Sequence, residues 1–311
     1  ILKLDDESDG TVAGVLKKQQ QYEDLMKSGE YLSARFLADA WCAAFVMRKN
    51  KDIDYPITEA LFRRIERNPK DCPAWMREEI QNLARQYQFF HPHIEFPDVF
   101  QPLENIPPED SNGWKGGYNV ILANPPWERV KLQEKEWFAE RVPEIANAPN
   151  AAARKRLIAN LEQEAPALYR AFLDAMRQAE GESHFLRNSS RYPLCGRGDI
   201  NLYAVFAEDM RSVLSDTGRM GVILPSGIAT DDTTKFFFQD VVENNSLRSL
   251  FDFENRKALF PAVDSRMKFC LFTSGSTNLH ANSNLPPAEF AFFCLDVEDL
   301  LDPDKRFALS P

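Results

Sequence analysis

Four consecutive residues, Asn124, Pro125, Pro126 and Trp127, combine groups that can hold a planar amine. The Asn124 side chain offers a carbonyl acceptor, and the Pro125 backbone carbonyl offers a second. Two successive prolines fix the backbone, so these acceptors keep one orientation with little entropy left to lose. Trp127 adds a flat aromatic face. Two acceptors beside a stacking plate suit an exocyclic amino group on a planar heterocycle, the chemistry of a base-amine site. The plain alternative is a strand-to-loop turn. Position favours the first reading. The apolar run Tyr118–Ala123, between a Gly-Gly pair and Asn-Pro-Pro, is patterned as a buried strand of a parallel sheet. Ligands of such sheets sit beyond the carboxyl ends of the strands.

Upstream, residues 1 to about 90 are patterned as helix. Apolar residues recur at Tyr31-Leu32, Phe36-Leu37, Trp41 and Phe45-Val46; a second helix runs between Pro56 and Pro69, and a third starts at Pro73. This stretch reads as a helical packing layer. A Pro-rich passage over 91–117 is expected to be irregular. Residues 150–188 return to helical spacing through Leu157, Leu161, Leu168, Phe172 and Met176. Strands and helices then alternate: helix 200–214 ending near Gly218, strand 220–224, helix 233–243, strands 247–253 and 267–272, and an edge strand at 288–295. That alternation predicts an α/β fold with a doubly wound sheet. Two regions follow: a helical region with a Pro-rich linker over 1–110, and a catalytic part over 111–311 with a helical insertion at about 150–188.

The composition, 44% hydrophobic and 27% charged, is that of an ordinary globular protein. No apolar run reaches the roughly 18 residues of a membrane span, and no secretory signal opens the chain. The first residue is Ile1 and the opening reads as mid-protein sequence, so the chain is expected to be a piece of a longer polypeptide. The five cysteines, Cys42, Cys72, Cys195, Cys270 and Cys294, form no C-x-x-C pair and sit near no histidine at zinc spacing. They read as reduced core thiols of a cytoplasmic protein, with no metal site expected. A net charge of −10 argues against a sequence-independent nucleic-acid coat but allows a local basic groove, and Arg187, Arg191 and Arg197 cluster in one stretch.

Further blocks accompany the tetrapeptide. His91-Pro92-His93-Ile94-Glu95-Phe96-Pro97-Asp98-Val99-Phe100 precedes it; Gly196-Arg197-Gly198-Asp199-Ile200-Asn201-Leu202-Tyr203, Gly221-Val222-Ile223-Leu224-Pro225-Ser226-Gly227-Ile228 and Asp252-Phe253-Glu254-Asn255 with residues 260–269 follow it. From about residue 85 onward the chain resembles N6-adenine DNA methyltransferases of restriction-modification and phage-defence systems, among them DISARM-type adenine methylases, whose signature is (Asn/Asp/Ser)-Pro-Pro-(Tyr/Phe/Trp). The resemblance implies a Rossmann-like, AdoMet-dependent methyltransferase sheet, S-adenosylmethionine as methyl donor, and a bacterial cytoplasmic setting. It implies double-stranded DNA as partner, with other defence-system subunits as candidate partners. Asn124 and the Pro125 carbonyl would accept hydrogen bonds from adenine N6, with Pro126 completing the catalytic turn. Trp127 would stack on a base flipped out of the duplex. Phe272 becomes the candidate for the base's other face; Asp199, Asn201, Tyr203 and Pro225 for the cofactor or base pocket; Arg187, Arg191 and Arg197 for DNA phosphates. Plainer roles stand beside these: Asp199 as a helix N-cap with Tyr203 in the core, Pro225 as a strand-ending turn, Phe272 as core, and the arginines as solvated charge. His91 and His93 read as structural.

One departure from the family is plain. Its glycine loop, F-x-G-x-G after the first strand, is expected upstream of the tetrapeptide, yet before residue 113 the only glycines are Gly10, Gly14 and Gly29. The sheet is therefore expected to be incomplete, lacking the strand that carries the AdoMet loop, beside a helical N-terminal region. Two other functions compete with adenine methylation. One is methylation of a protein glutamine amide, whose enzymes share the Asn-Pro-Pro-aromatic loop but are short. The other is a non-catalytic DNA-binding or scaffold module derived from a methylase.

Overall fold

Hydroxyl caps delimit the N-terminal helices of the computed structural model, which describes residues 10–49, 55–103, 113–276 and 286–309. Thr11 accepts from the Gly14 amide and opens α1 (Val12–Lys27). Ser28 ends α1 through its own N–H and opens α2 (Gly29–Val46) by accepting from Tyr31 N at 3.2 Å. Thr58 opens α3 (Glu59–Arg67), and α4 (Ala74–Tyr87) ends where Gln88 turns left-handed. Each cap satisfies an amide that the helix itself leaves unpaired. α2 buries Tyr31, Phe36, Ala40, Ala43 and Val46, α3 buries Leu61 and Ile65, and α4 buries Met76, Ile80 and Leu83. Each large aliphatic side chain removed from water stabilises by roughly 1.5–3 kcal/mol. His91 is structural here: buried, it lies 2.8 Å from Asp39 of α2.

The described residues of the Pro-rich passage are more regular than its composition suggests. It forms α5 (Pro92–Glu95) and a small antiparallel pair, β1 (Phe100–Pro102) with β2 (Trp114–Gly116). A Cβ on Gly116 (φ +90°) would meet the Val99 carbonyl at 2.2 Å, so only glycine fits that close approach. The boundary expected at residue 110 lies outside the described residues.

The main sheet has six strands: β3 (Tyr118–Ala123), β4 (Leu214–Pro225), β5 (Leu247–Glu254), β6 (Lys268–Gly275), β7 (Ala288–Cys294) and β8 (Arg306–Leu309), in the order β3-β4-β6-β5-β7-β8. Between β3 and β4 come α6 (Glu134–Ala139), α7 (Pro143–Ala146), α8 (Ala151–Glu164), α9 (Pro166–Asn188) and α10 (Leu202–Ser212); α11 (Gly227–Thr230) and α12 (Lys235–Glu243) follow β4. The sheet is mixed rather than doubly wound and parallel. β5 pairs in parallel with β7 but antiparallel with β6, and β7 pairs antiparallel with β8. The reason is local: the chain between β5 and β6 carries only a short 3-10 turn, Asn255–Lys257, and no crossover helix of the kind a parallel return needs.

Two expectations are corrected. β3 is an edge strand rather than a buried one, with Val120 65% and Leu122 81% exposed. β4 starts at Leu214, well before the expected 220, because Gly218 lies inside the strand instead of ending a helix. A Cβ there would approach the Tyr118 carbonyl to 2.6 Å. Among the described residues the chain forms two compact units: one from residues up to 121 with 212–219 and 275–276, the other from 122–211, 220–274 and 286–309. No described helix is long and apolar enough to cross a membrane. All five cysteines are buried and none is in a disulfide. Burial pushes the Cys270 thiol up to about 12.

Candidate functional site

The tetrapeptide emerges directly from the end of β3, with Asn124 and Pro126 exposed, Pro125 buried and Trp127 half-buried. Trp127 packs against a core cluster of Phe253, Phe269, Ala291 and Cys294, in which the Phe253 and Phe269 rings stack at 5.4 Å. Its Nε1 is buried with no hydrogen-bond partner. An unsatisfied buried donor costs about 1–3 kcal/mol, so packing rather than a hydrogen bond holds this indole. The next residues are pinned. Leu202 N donates to Glu128 O at 2.8 Å, Val130 N donates to Ile200 O at 3.1 Å, and Arg129 pairs with Asp199 at 2.9 Å. This short antiparallel ladder fixes the direction in which the chain leaves the motif.

Asp199 and Asn201 therefore join the motif through Arg129, facing Arg129 as an ion pair and an isolated bridge. Asp199 is not a helix cap, since α10 begins at Leu202. Tyr203 is buried on α10, and burial together with the Asp231 carboxylate raises its phenol, which keeps the hydroxyl a donor. Pro225 ends β4. Ser226 follows, its N–H bonded to Lys268 O at 3.3 Å and its hydroxyl donating to the buried Asp252 carboxylate of β5. A Cβ on Gly227 would lie 2.5 Å from Asp231 Oδ2 and 3.1 Å from the Tyr203 hydroxyl, so Tyr203, Asp231 and the Pro225–Gly227 turn form one tight group. The Asn255 side chain staples the β5–β6 connection, donating to Phe260 O and Val263 O and accepting from Phe260 N, each at 2.9 Å.

Phe272 does not belong to the site. It is fully buried and packs on Phe237 of α12 at 6.1 Å, leaving no face for a base. The three arginines all have intramolecular partners: Arg187 donates to Gly198 O at 2.6 Å, Arg191 lies 3.9 Å from Asp209, and Arg197 bonds Pro193 O and covers the Phe236 ring. They brace the 191–199 loop. A key residue of that loop escaped the motif reading. Glu208 of α10 is buried, accepts from Leu194 N at 2.9 Å and Cys195 N at 2.8 Å, and burial raises its carboxyl pKa. Its signal was present in the sequence as a carboxylate four residues after Ala204, on the buried face of α10.

Of the glycines upstream of β3, Gly10, Gly14 and Gly29 lie at or within the first two helices, while Gly116, which ends β2, and Gly117 are packed against the Val99 and Leu214 backbones.

A family model described as Eco57I restriction-modification methylase matches residues 18–260, well over half of the chain. No curated protein matches it.

Proposed function

The chain belongs to the Eco57I restriction-modification methylase family, and from that premise we propose that it supplies the base-binding side of a site-specific DNA adenine N6-methyltransferase. The observation that carries this reading is the tetrapeptide's setting: an exposed Asn124 next to a buried, backbone-fixing Pro125 at a strand end, with Trp127 braced beside them. Asn124 and the Pro125 carbonyl accept the two N6 hydrogens, which turns the nitrogen lone pair away from both. Trp127 offers its open surface to a base extruded from the duplex. The amine is a neutral nucleophile, so no general base is needed beforehand and the protein's contribution is orientation. The methyl donor in this proposal is S-adenosylmethionine, the partner is double-stranded DNA, and the setting is bacterial restriction-modification or phage defence together with other subunits.

A non-catalytic DNA-binding module is the second reading, favoured by the lack of a glycine cradle among the described residues. Methylation of a glutamine amide fits less well, given the long helical lead-in. One experiment separates them. Labelled S-adenosylmethionine is incubated with DNA and full-length protein, and the DNA is digested to nucleosides. We expect N6-methyladenine from the wild type and none from Asn124→Ala, with DNA binding largely kept. Near-normal methyl incorporation by Asn124→Ala would sink the assignment.

A further inference from the structure

A cavity of about 590 Å³ opens beside Trp127, between the segment that follows the motif and one face of α9. Its lining includes Trp127, Arg129, Lys131, Trp137, Gln178 and Glu182. Its walls are set by packing. Trp137 meets Phe138 at 4.7 Å and Phe172 at 5.4 Å, in a cluster with Ile145, Ile158 and Leu161, while Arg141 covers Trp137 at 4.4 Å. The size falls within the range of sites that enclose small organic ligands, roughly 300–1,000 Å³. The chemistry is more specific than the size. Gln178 and Glu182 stand one helical turn apart, the amide donating to the carboxylate at 3.1 Å, and burial raises the Glu182 pKa. An amide and a carboxyl are groups that read base edges, Gln on adenine and a carboxylate on the cytosine amino group. Arg129, ion-paired with Asp199, and Lys131 are both exposed and put positive charge on the cavity's lining, as a sugar-phosphate backbone would require.

We propose that this cavity holds the nucleotide adjacent to the target base on the same strand, with Gln178 and Glu182 reading its edge. The proposal rests on the reading of Asn124–Trp127 as the target-base site. Trp127 belongs to both, so the cavity adjoins the target-base site. α9, inserted between β3 and β4, thereby becomes part of sequence recognition.

The test uses full-length protein and a DNA library in which the bases flanking adenine are varied, with methylated sites read by sequencing. Glu182→Gln is close to isosteric and Gln178→Ala removes the amide. Ala175→Phe fills the cavity from the same helix face. Each of the first two should keep the wild-type melting temperature, lose about five- to hundred-fold in kcat/KM at the preferred site, the range of one good base contact, and relax preference at one neighbouring position. Ala175→Phe should abolish methylation while the protein stays folded. Wild-type rates and site preference in all three would overturn the proposal, as would a loss spread evenly over every flanking sequence. Asn124→Ala separates the two readings. If it is inactive while the cavity variants behave as wild type, only the cavity proposal falls; if it methylates normally, both fall.

Discussion

Trp127 does two things that a substitution series can pull apart. It packs on the Phe253–Phe269 cluster and it lines the cavity next to the motif. Stacking on a flipped base is worth roughly 1–3 kcal/mol and any flat ring supplies most of it. Trp127→Phe should therefore keep most activity. It also removes the buried, unpartnered Nε1, so its melting temperature should not fall by more than the small packing loss. Trp127→Leu should methylate about ten- to hundred-fold more slowly, the kinetic equivalent of lost stacking. Methylation rate measured beside melting temperature, with 2-aminopurine fluorescence at the target base, distinguishes the roles. Wild-type methylation by Trp127→Leu would mean that the indole is core packing alone. At this scale the sequence was informative about position: the apolar run before Asn-Pro-Pro-Trp and its two prolines place the tetrapeptide at a strand end, where the structure has it. Phe272 was misplaced because an aromatic in a strand looks the same whether its ring faces a site or the core.

The loop over 191–199 joins α9 to the ladder that pins the motif, and two residues hold it in place. Gly196 admits no side chain, since a Cβ would lie 2.2 Å from Leu186 O and 2.6 Å from Tyr192 O, both backbone atoms that cannot swing aside. Gly196→Ala should cost about 1–3 kcal/mol, or a melting temperature lower by about 2–10 °C in a chain of this size. An unchanged melting temperature would show that the loop is looser than described. Glu208 ties the same loop through two amides. Its folded pKa is raised by burial, so the folded state holds the proton more tightly than the unfolded chain. Its contribution is therefore greatest below the ordinary carboxylate pKa and declines as pH rises through the raised value. Glu208→Gln cannot accept from both amides, so the variant should be less stable by about 1–3 kcal/mol, and its stability should change less as pH rises from below the ordinary carboxylate range to neutrality. A variant as stable as wild type at acid and at neutral pH contradicts this. The helices were legible element by element because their caps and apolar spacing are local. The edge position of β3 was not, because an apolar run reports what its side chains prefer and nothing about which strands pair beside it. The antiparallel return of β6 was hidden for a similar reason, since it depends on the Asn255 staple rather than on any strand pattern.

Across the molecule as a whole, the proposed acceptor site has no counterpart glycine loop for a methyl donor. Asn124, Pro125, Trp127 and the strand ends of β4 and β5 form a braced group within one compact unit. The donor side requires a loop whose backbone can approach a nucleoside closely, and that demands glycine at positions a side chain would block. Of the glycines before β3, Gly10, Gly14 and Gly29 are spent on the first two helices and the turn into α1. The positive-φ glycines that do occur, Gly113, Gly116, Gly117 and Gly198, serve the approach to β3 and the 191–199 loop. Residues 1–311 should therefore bind S-adenosylmethionine weakly or not at all. Calorimetry on this chain is the measurement, with melting temperature followed across increasing S-adenosylmethionine. A ligand that binds only the folded state raises stability by about 2.7 kcal/mol at a hundred-fold excess over its Kd, so even modest affinity would register as a shift. Absence of both heat and shift is expected. Micromolar binding would show that the cofactor pocket is assembled from residues other than a glycine loop, and the group formed by Tyr203, Asp231 and the Pro225–Gly227 turn would then be the first place to look.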